Sequence, residues 1–412
     1  MRPAIRRLSH AVPAILASAA ITYLSPPARC ERSWSPSWAP LPPLTTVGRP
    51  ADAGADARAA SGERAPLPAM IDAVFPALVR VQGSIGERRI GAGSGFVVSE
   101  SGLVVTNDHV ISSLAAAGAT EVLAIFDDGR VFALEPLASD READVAVARI
   151  VAPPGTTFAA LRFGSSSALR RGDAVTVLGA PLGGSLVPAH GVLGGNRYVV
   201  DDELMHTVLH SRGDWNLLQV DANMSSGSSG GPIVNADGAV VGVSVLVQTS
   251  GGMGVGSLNY GVASDQVVPI INSLLERGYV QRPSVGLSII AVDSITAARQ
   301  ASASSITLLP PDAHAGLLVT HVVPGKPGAL AGLREGDVII DIDGRPMHRK
   351  GAFFEALGPV FQPDKRLEAV VWRPALGQGR RGQRLSVTLT PVVRDEAAHE
   401  ASIYGARRRR TW

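Results

Sequence analysis

The run Gly227-Ser228-Ser229-Gly230-Gly231-Pro232 sets a serine among glycines, just ahead of a Gly-Pro pair. A serine hydroxyl attacks a carbonyl only when a base removes its proton and donors receive the oxyanion that forms. Glycines permit the backbone angles of a tight turn and leave no side chain over the reacting atoms. The amides of Gly227 and Ser229, with Ser228 on the same turn, are therefore candidate oxyanion donors around a nucleophilic Ser229. A Gly/Ser-rich surface loop has the same composition, so the run alone does not separate the two readings.

A base and an orienting acid complete the chemistry. Of nine histidines, only His109 has a telling context. Gly93 to Val98 is an apolar, β-rich run, Ser99 to Gly102 is a turn, and Leu103 to Val110 is a second run. That pattern predicts a hairpin with His109 at its far end. Asp144 opens the strand-like run Val145 to Ile150, where a carboxylate is held at a strand start. The chain order His, Asp, Ser is one of several in which such triads occur.

The elements needed to position these residues are legible as apolar runs. Val79–Ser84, Ile90–Val98, Leu103–Asn107, Glu121–Phe126, Val131–Ala138 and Val145–Ile150 read as six strands. Ala174–Leu178, Ala189–Gly194, Leu217–Val220, Ile233–Asn235, Ala239–Val247 and Asn259–Ala263 read as six more. Asp265 to Gly278 carries Val267, Val268, Ile270, Ile271, Leu274 and Leu275 at helical spacing and predicts a closing helix.

Taken in order, these boxes resemble the HtrA (DegP-like) serine proteases over about Pro68 to Val393. Thr106-Asn107-Asp108-His109-Val110 is similar to the family's TNxHV box. Asp144-Val145-Ala146-Val147 resembles its acid box, and Gly227 to Pro232 its GNSGGP box. Gly179 to Gly183 lies where the family has a GNPFG turn, and Gln219 to Ala222 where it has QTDA. Asp108 replaces a usual small residue and Ser228 a usual Asn. An aspartate beside His109 stabilises the imidazolium if it turns inward; the other reading is a solvent-facing side chain.

The resemblance implies a mainly β fold: two six-stranded barrels of the chymotrypsin-like type, followed by an α+β PDZ domain. The expected organisation is a targeting or anchor segment over 1–30, a Pro/Ala-rich disordered linker over 31–67, a trypsin-like serine protease domain over 68–280, a PDZ domain over 283–393 and a basic disordered tail over 394–412. The active site is expected in the cleft between barrels. It also implies His109, Asp144 and Ser229 as the catalytic triad, and Gly227, Ser228 and Ser229 as the oxyanion turn. Asn259, Tyr260 and Gly261 resemble the strand lining the specificity pocket, which implies a preference for medium aliphatic side chains. Gln248 to Gly256 sits where the family has its specificity loop, and Asn196 to Trp215 where it has a regulatory loop. His206 and His210 in that loop have no evident third ligand, so no metal and no cofactor is expected.

Gly316 to Thr320 and Val322 to Gly344 resemble a PDZ domain. Val285, Gly286, Leu287 and Ser288 lie where such domains bind a peptide's terminal carboxylate while the peptide adds a strand to the sheet. The helix beside that groove is expected over His348 to Leu357, with Phe353 or Phe354 lining it. Ser294 to Pro311 reads as a surface insertion. The tail ends in Arg407 to Arg410; a solvated tail and a contact with acidic lipid or RNA are its two readings.

Composition bounds the rest. The chain has 412 residues, 45% hydrophobic and 5% aromatic, enough for two or three β-rich domains with linkers. A net charge of +2 implies no nucleic-acid partner, and the single Cys30 permits no intramolecular disulfide. Arg2, Arg6 and Arg7 precede the apolar run Ala11 to Leu24, which suits a targeting segment. An extracytoplasmic or periplasmic signal, a membrane anchor and a mitochondrial (intermembrane space) presequence remain open; the cytosol is not expected. The family implies an ATP-independent endopeptidase acting on unfolded or damaged polypeptides in protein quality control and stress response. It further implies modulation by C-terminal peptides and a homotrimer formed around Ile71 to Phe75. Two alternatives are a proteolytically weak PDZ chaperone or scaffold, and a membrane-tethered signalling protease with one dedicated substrate.

Overall fold

The computed structural model describes residues 43–44, 46–47, 66–199, 216–225, 227–246, 259–293, 309–375 and 382–394. The expected leader, the Asn196–Trp215 loop beyond Val199, the Gln248–Gly256 loop, residues 294–308 of the insertion and the arginine tail lie outside them, as do His206 and His210.

A short strand β1 (Thr46–Val47) and helix α1 (Leu67–Val74) precede the first barrel. Its six strands are β2 (Leu78–Ile85), β3 (Arg88–Val97), β4 (Leu103–Thr106), β5 (Glu121–Ile125), β6 (Val131–Asp140) and β7 (Val145–Val151). They close in the order β2-β3-β4-β7-β6-β5. Their register matches the expected hairpin, with Phe96 opposite Val105 and Val97 opposite Val104. The four residues of β4 and the first four of β7 are buried without alternation. Such runs mark strands covered on both faces.

The hairpin ends differently from the expectation. β4 stops at Thr106, and helix α2 (Asp108–Ala116) starts at once, so His109 sits in the first helical turn. Val110 and Leu114, at i and i+4, are the residues this short helix buries. With two buried anchors, a half-buried Ile111 and a Ser-Ser pair between them, its periodicity is too weak to read.

After a two-residue strand β8 (Phe163–Gly164), the second barrel comprises β9 (Ala174–Gly179), β10 (Val187–Val199), β11 (Asn216–Asp221), β12 (Pro232–Asn235), β13 (Val240–Leu246) and β14 (Asn259–Ala263). The order β12-β9-β10-β11-β14 is closed by pairing of β13 with both β12 and β14. β10 runs five residues past the expected end at Gly194, because its far half pairs with β11 through Tyr198 opposite Leu217. Helix α3 (Ser264–Arg277) buries Val267, Ile270, Ile271 and Leu274 in one stripe. Gly278, at φ 78°, ends it in the left-handed conformation. The tether expected over 31–67 is held at residues 44–47: β1 pairs with β8, and Leu44 exchanges two 2.9 Å hydrogen bonds with the Asn272 side chain.

The C-terminal part contains β15 (Pro283–Ser284), β16 (Leu287–Asp293), β17 (Ala315–Val322), α4 (Pro327–Leu330), β18 (Val338–Ile342), β19 (Arg345–Pro346), α5 (Lys350–Leu357), β20 (Leu367–Arg373), β21 (Gln383–Leu389) and β22 (Val392–Val393). A sheet of order β16-β17-β18-β20-β21 wraps its own core of Leu317, Ile339, Phe353, Leu367 and Val371.

Arg282 joins this part to the first barrel. Its side chain is 5% exposed and ion-pairs with Asp140 at the end of β6. Its Nε lies 3.8 Å from Glu142, which Arg394 just after β22 also engages. The Arg394 N–H donates to the Arg282 carbonyl at 2.7 Å. Burial pushes the Asp140 carboxyl above its usual range in spite of the pull of Arg282. The cluster is thus costly to bury, and costlier to break, because a lost partner strands a buried charge. Arg282→Met is expected to lower stability by about 3 kcal/mol. Adding Asp140→Asn should recover part of that loss; urea denaturation of the two variants checks the pair.

Candidate active site

Asp144 is placed before anything else at the site. It sits in the tight turn between β6 and β7 with φ 54°, a left-handed conformation that aspartate tolerates better than most residues. The Asp140 carboxylate accepts the Ala143 N–H at 2.9 Å and so braces the turn. The Asp144 side chain is 4% exposed, and each of its oxygens has a donor. Oδ1 accepts the His109 backbone N–H at 2.9 Å, and Oδ2 faces His109 Nδ1 at 2.7 Å. The first N–H groups of a helix have no partner within it and favour negative charge. The start of α2 therefore supplies a backbone donor to the carboxylate that orients its own second residue.

A carboxylate can only accept, so the Nδ1 position must carry the proton of this bond. In the neutral ring the lone pair is then on Nε2, the form a general base needs. Asn107 adds a third tie: its Nδ2 donates to the Asp144 carbonyl at 2.7 Å. Asn107 lies within the TNxHV-like box, whose residue types alone assign it no role. A polar residue wholly buried at the end of an apolar strand is the signal that marks it.

Burial pushes the His109 imidazole down. The hydrogen bond and charge of Asp144, with a further pull from Asp108, outweigh it and leave the pKa above the ordinary histidine value. Asp108 is not simply turned to solvent: its carboxylate accepts a hydrogen bond from the Ser139 hydroxyl on β6.

The Ser229 turn belongs to the second barrel but is pressed against the first. Gly230 has φ 85°, and a Cβ there would fall 2.3 Å from the Ser94 carbonyl oxygen and 2.4 Å from Thr106 Oγ1. The Asn107 amide nitrogen is next, at 3.1 Å. The glycine after Ser229 thus touches the backbone two residues before His109. Gly227 has φ 97°, and Ser228 and Ser229 are 4% and 7% exposed. Among the described residues, no hydrogen bond is formed by the amides of Gly227 or Ser229.

The pocket candidates are placed less simply. Asn259 is buried and its Nδ2 donates to the Ala222 carbonyl. The Tyr260 side chain is wholly buried in the protein core. Gly261 lies against Ile233, which leaves no room for a side chain. Of the expected carboxylate loop, Val285 is buried in the C-terminal core and Gly286 has φ 71°. Leu287 and Ser288 open β16. Phe353 is buried and Phe354 is exposed.

Comparison with known proteins agrees with this fold. Residues 93–243 match the model of a trypsin-like peptidase domain, and residues 318–358 that of a PDZ domain. The chain is 32% identical over 262 residues to a putative serine protease HhoA of Synechocystis sp., covering 63% of this chain and 62% of that one. It is 28% identical over 306 residues to the periplasmic serine endoprotease DegP of Escherichia coli, covering 74% and 57%. It is 29% identical over 308 residues to mitochondrial serine protease HTRA2 of Drosophila willistoni, covering 73% and 64%. The chain thus spans less than two thirds of the length of these curated relatives. Among solved structures, the HtrA-type protease AlgW with a tripeptide shares the fold, with a TM-score of 0.60, 24% identity and coverage of 80% of this chain and 98% of that one. The chain thus carries a trypsin-like peptidase domain followed by a PDZ domain, and the relatives it resembles include serine proteases named DegP and HTRA2.

Proposed function

We propose that the chain is an ATP-independent serine endopeptidase that cleaves unfolded or damaged polypeptides outside the cytosol. The observation that carries this reading is the paired Asp144–His109 contact beside a glycine turn that presents Ser229. Residues 68–280 form the catalytic part and residues 283–393 the PDZ part. Ser229 attacks the substrate carbonyl while His109 Nε2 takes its proton. Asp144 holds the ring and stabilises the imidazolium, and the amides of Gly227 and Ser229 receive the oxyanion. His109 then returns the proton to the leaving amine, and water repeats the sequence on the acyl-enzyme.

The PDZ part takes a peptide C-terminus at Val285 to Ser288, with the peptide extending the sheet along β16. Arg282 and Arg394 give such binding a route to the acid turn, since both contact carboxylates just ahead of Asp144. A homotrimer forms through Ile71 to Phe75, in α1 and the turn after it. Among the described residues, no helix is long and apolar enough to cross a membrane.

Two measurements test the chemistry. Ser229→Ala should abolish casein cleavage and fluorophosphonate labelling while leaving the fold intact. His109→Ala should cost about as much, because triad members act as a unit. Proteolysis by purified Ser229→Ala would sink the assignment.

The second measurement is the pH profile. Only the neutral imidazole accepts the serine proton, so a raised pKa moves half-maximal activity above the ordinary histidine value. Asp108→Asn removes one of the charges that stabilise the imidazolium, so its midpoint should lie at lower pH than the parent's. An identical profile would remove Asp108 from any part in tuning His109.

A further inference from the structure

Three consecutive carbonyls of the nucleophile turn are held by two serines outside the triad. Ser94 on β3 in the first barrel and Ser244 on β13 in the second are both wholly buried. The Ser94 hydroxyl donates to the Gly227 carbonyl at 2.7 Å, and the Ser94 N–H donates to the Ser229 carbonyl at 2.8 Å. Between them, the Ser244 hydroxyl donates to the Ser228 carbonyl at 2.6 Å. The remaining groups of both serines are engaged nearby. Ser94 Oγ accepts the Ala180 N–H at 2.9 Å, and the Ser94 carbonyl accepts the Thr106 hydroxyl at 2.7 Å. The Ser244 N–H donates to the Gly231 carbonyl at 2.8 Å, and its carbonyl accepts the Gly230 N–H at 3.0 Å.

These bonds bear on catalysis through peptide geometry. A trans peptide points its carbonyl and its N–H in opposite directions. Fixing the Ser228 carbonyl on Ser244 therefore fixes the Ser229 N–H on the other side, away from β13. The glycines of the turn cannot do this. Gly227 and Gly230 adopt φ 97° and 85°, but glycine visits both signs of φ, so it permits the turn without choosing how its peptides face. A buried hydroxyl with a single well-placed acceptor makes that choice.

We infer that Ser244 is a positioning residue that sets the direction of the Ser229 oxyanion-binding amide, while Ser94 holds the peptides on either side of it from the other barrel. The inference rests on Ser229 being the nucleophile. An amide that binds the oxyanion acts chiefly in the transition state, so misdirecting it lowers kcat and leaves KM alone. The Ser228 carbonyl keeps the Gly231 N–H at 3.1 Å when the Ser244 hydroxyl is removed, so the loss is partial. It is expected to be about tenfold in kcat, below the full loss of an oxyanion donor.

The test is the rate constant for labelling of the full chain by a fluorophosphonate. In that step the Ser229 oxygen–phosphorus bond forms, fluoride leaves and His109 takes the proton. A rate constant reports only molecules that react, so it is insensitive to a misfolded fraction. Ser244→Ala should fall about tenfold in this constant and in kcat for casein-peptide cleavage, with KM unchanged. Ser244→Cys, which nearly keeps the volume but donates only weakly, should fall likewise, and decides the matter if Ser244→Ala does not fold. Ser273→Ala is the control: it removes another buried serine's hydroxyl, on α3 and bonded to the Tyr279 carbonyl at 2.9 Å, and should label at the parent rate. Parent-like rate constants in both Ser244 variants overturn the inference, as does an equal fall in Ser273→Ala. A parent that is not labelled at Ser229 overturns instead the reading of Ser229 as nucleophile.

Discussion

Everything at the site depends on how closely the Ser229 turn can approach the start of α2. The two sides come from different barrels, so no local sequence can bring them together. The approach is set by one glycine: any side chain at Gly230 would collide with the Ser94 carbonyl and with Thr106. These are backbone and short-branched groups within closed sheets, which cannot swing aside as a long flexible side chain would. The requirement is steric, and it is also conformational, because the same residue takes φ 85°. Proximity and orientation are the part of catalysis most sensitive to small displacements. A residue with no functional group therefore fixes the distance over which the proposed proton transfer takes place.

The second constraint is electrostatic. A carboxylate with 4% of its side chain exposed is expensive unless its charge is met. Asp144 meets it with the ring N–H of His109 and the backbone N–H at the start of α2. The two donors come from the same residue, so they hold the imidazole by ring and by backbone at once. Rotation of the ring would break one bond while the other still anchored the chain. Asn107 restrains the acid from its carbonyl side. Orientation and charge compensation are thus one set of bonds, which is why a left-handed aspartate is tolerated at the turn.

Much of this was legible in the sequence, for physical reasons that differ by element. Strand runs such as Leu103 to Thr106 and Val145 to Ala148 show because barrel strands covered on both faces must be continuously apolar. α3 shows because a helix laid on one surface needs its stripe of Val267, Ile270, Ile271 and Leu274. The proposed triad residues stand out because glycine-rich turns and an acid at a strand start are compositionally unusual. α2 was hidden because it rests on two buried apolar residues and on capping by an acid 35 residues away. Ser94 and Ser244 were hidden for the same reason: their partners lie 133 and 16 residues off, and serine in a strand carries no local signature. What local sequence states is which elements exist; what it omits is which polar group meets which.

The ion cluster around Arg282 shows where that omission matters most. Asp140 does two jobs with one carboxylate, bracing the Ala143 amide of the acid turn and pairing with Arg282 at the entry to the C-terminal part. Glu142, in the same turn, meets Arg394 at the far end of that part. Two cations and two carboxylates make the cluster neutral overall, yet burial holds the Asp140 carboxyl above its usual range, so the arrangement is not a cheap source of stability. Its consequence is geometric. Both ends of the C-terminal part are fastened to the four residues that precede Asp144, and not to the Ser229 turn. A shift of that part therefore bears directly on the turn that carries Asp144.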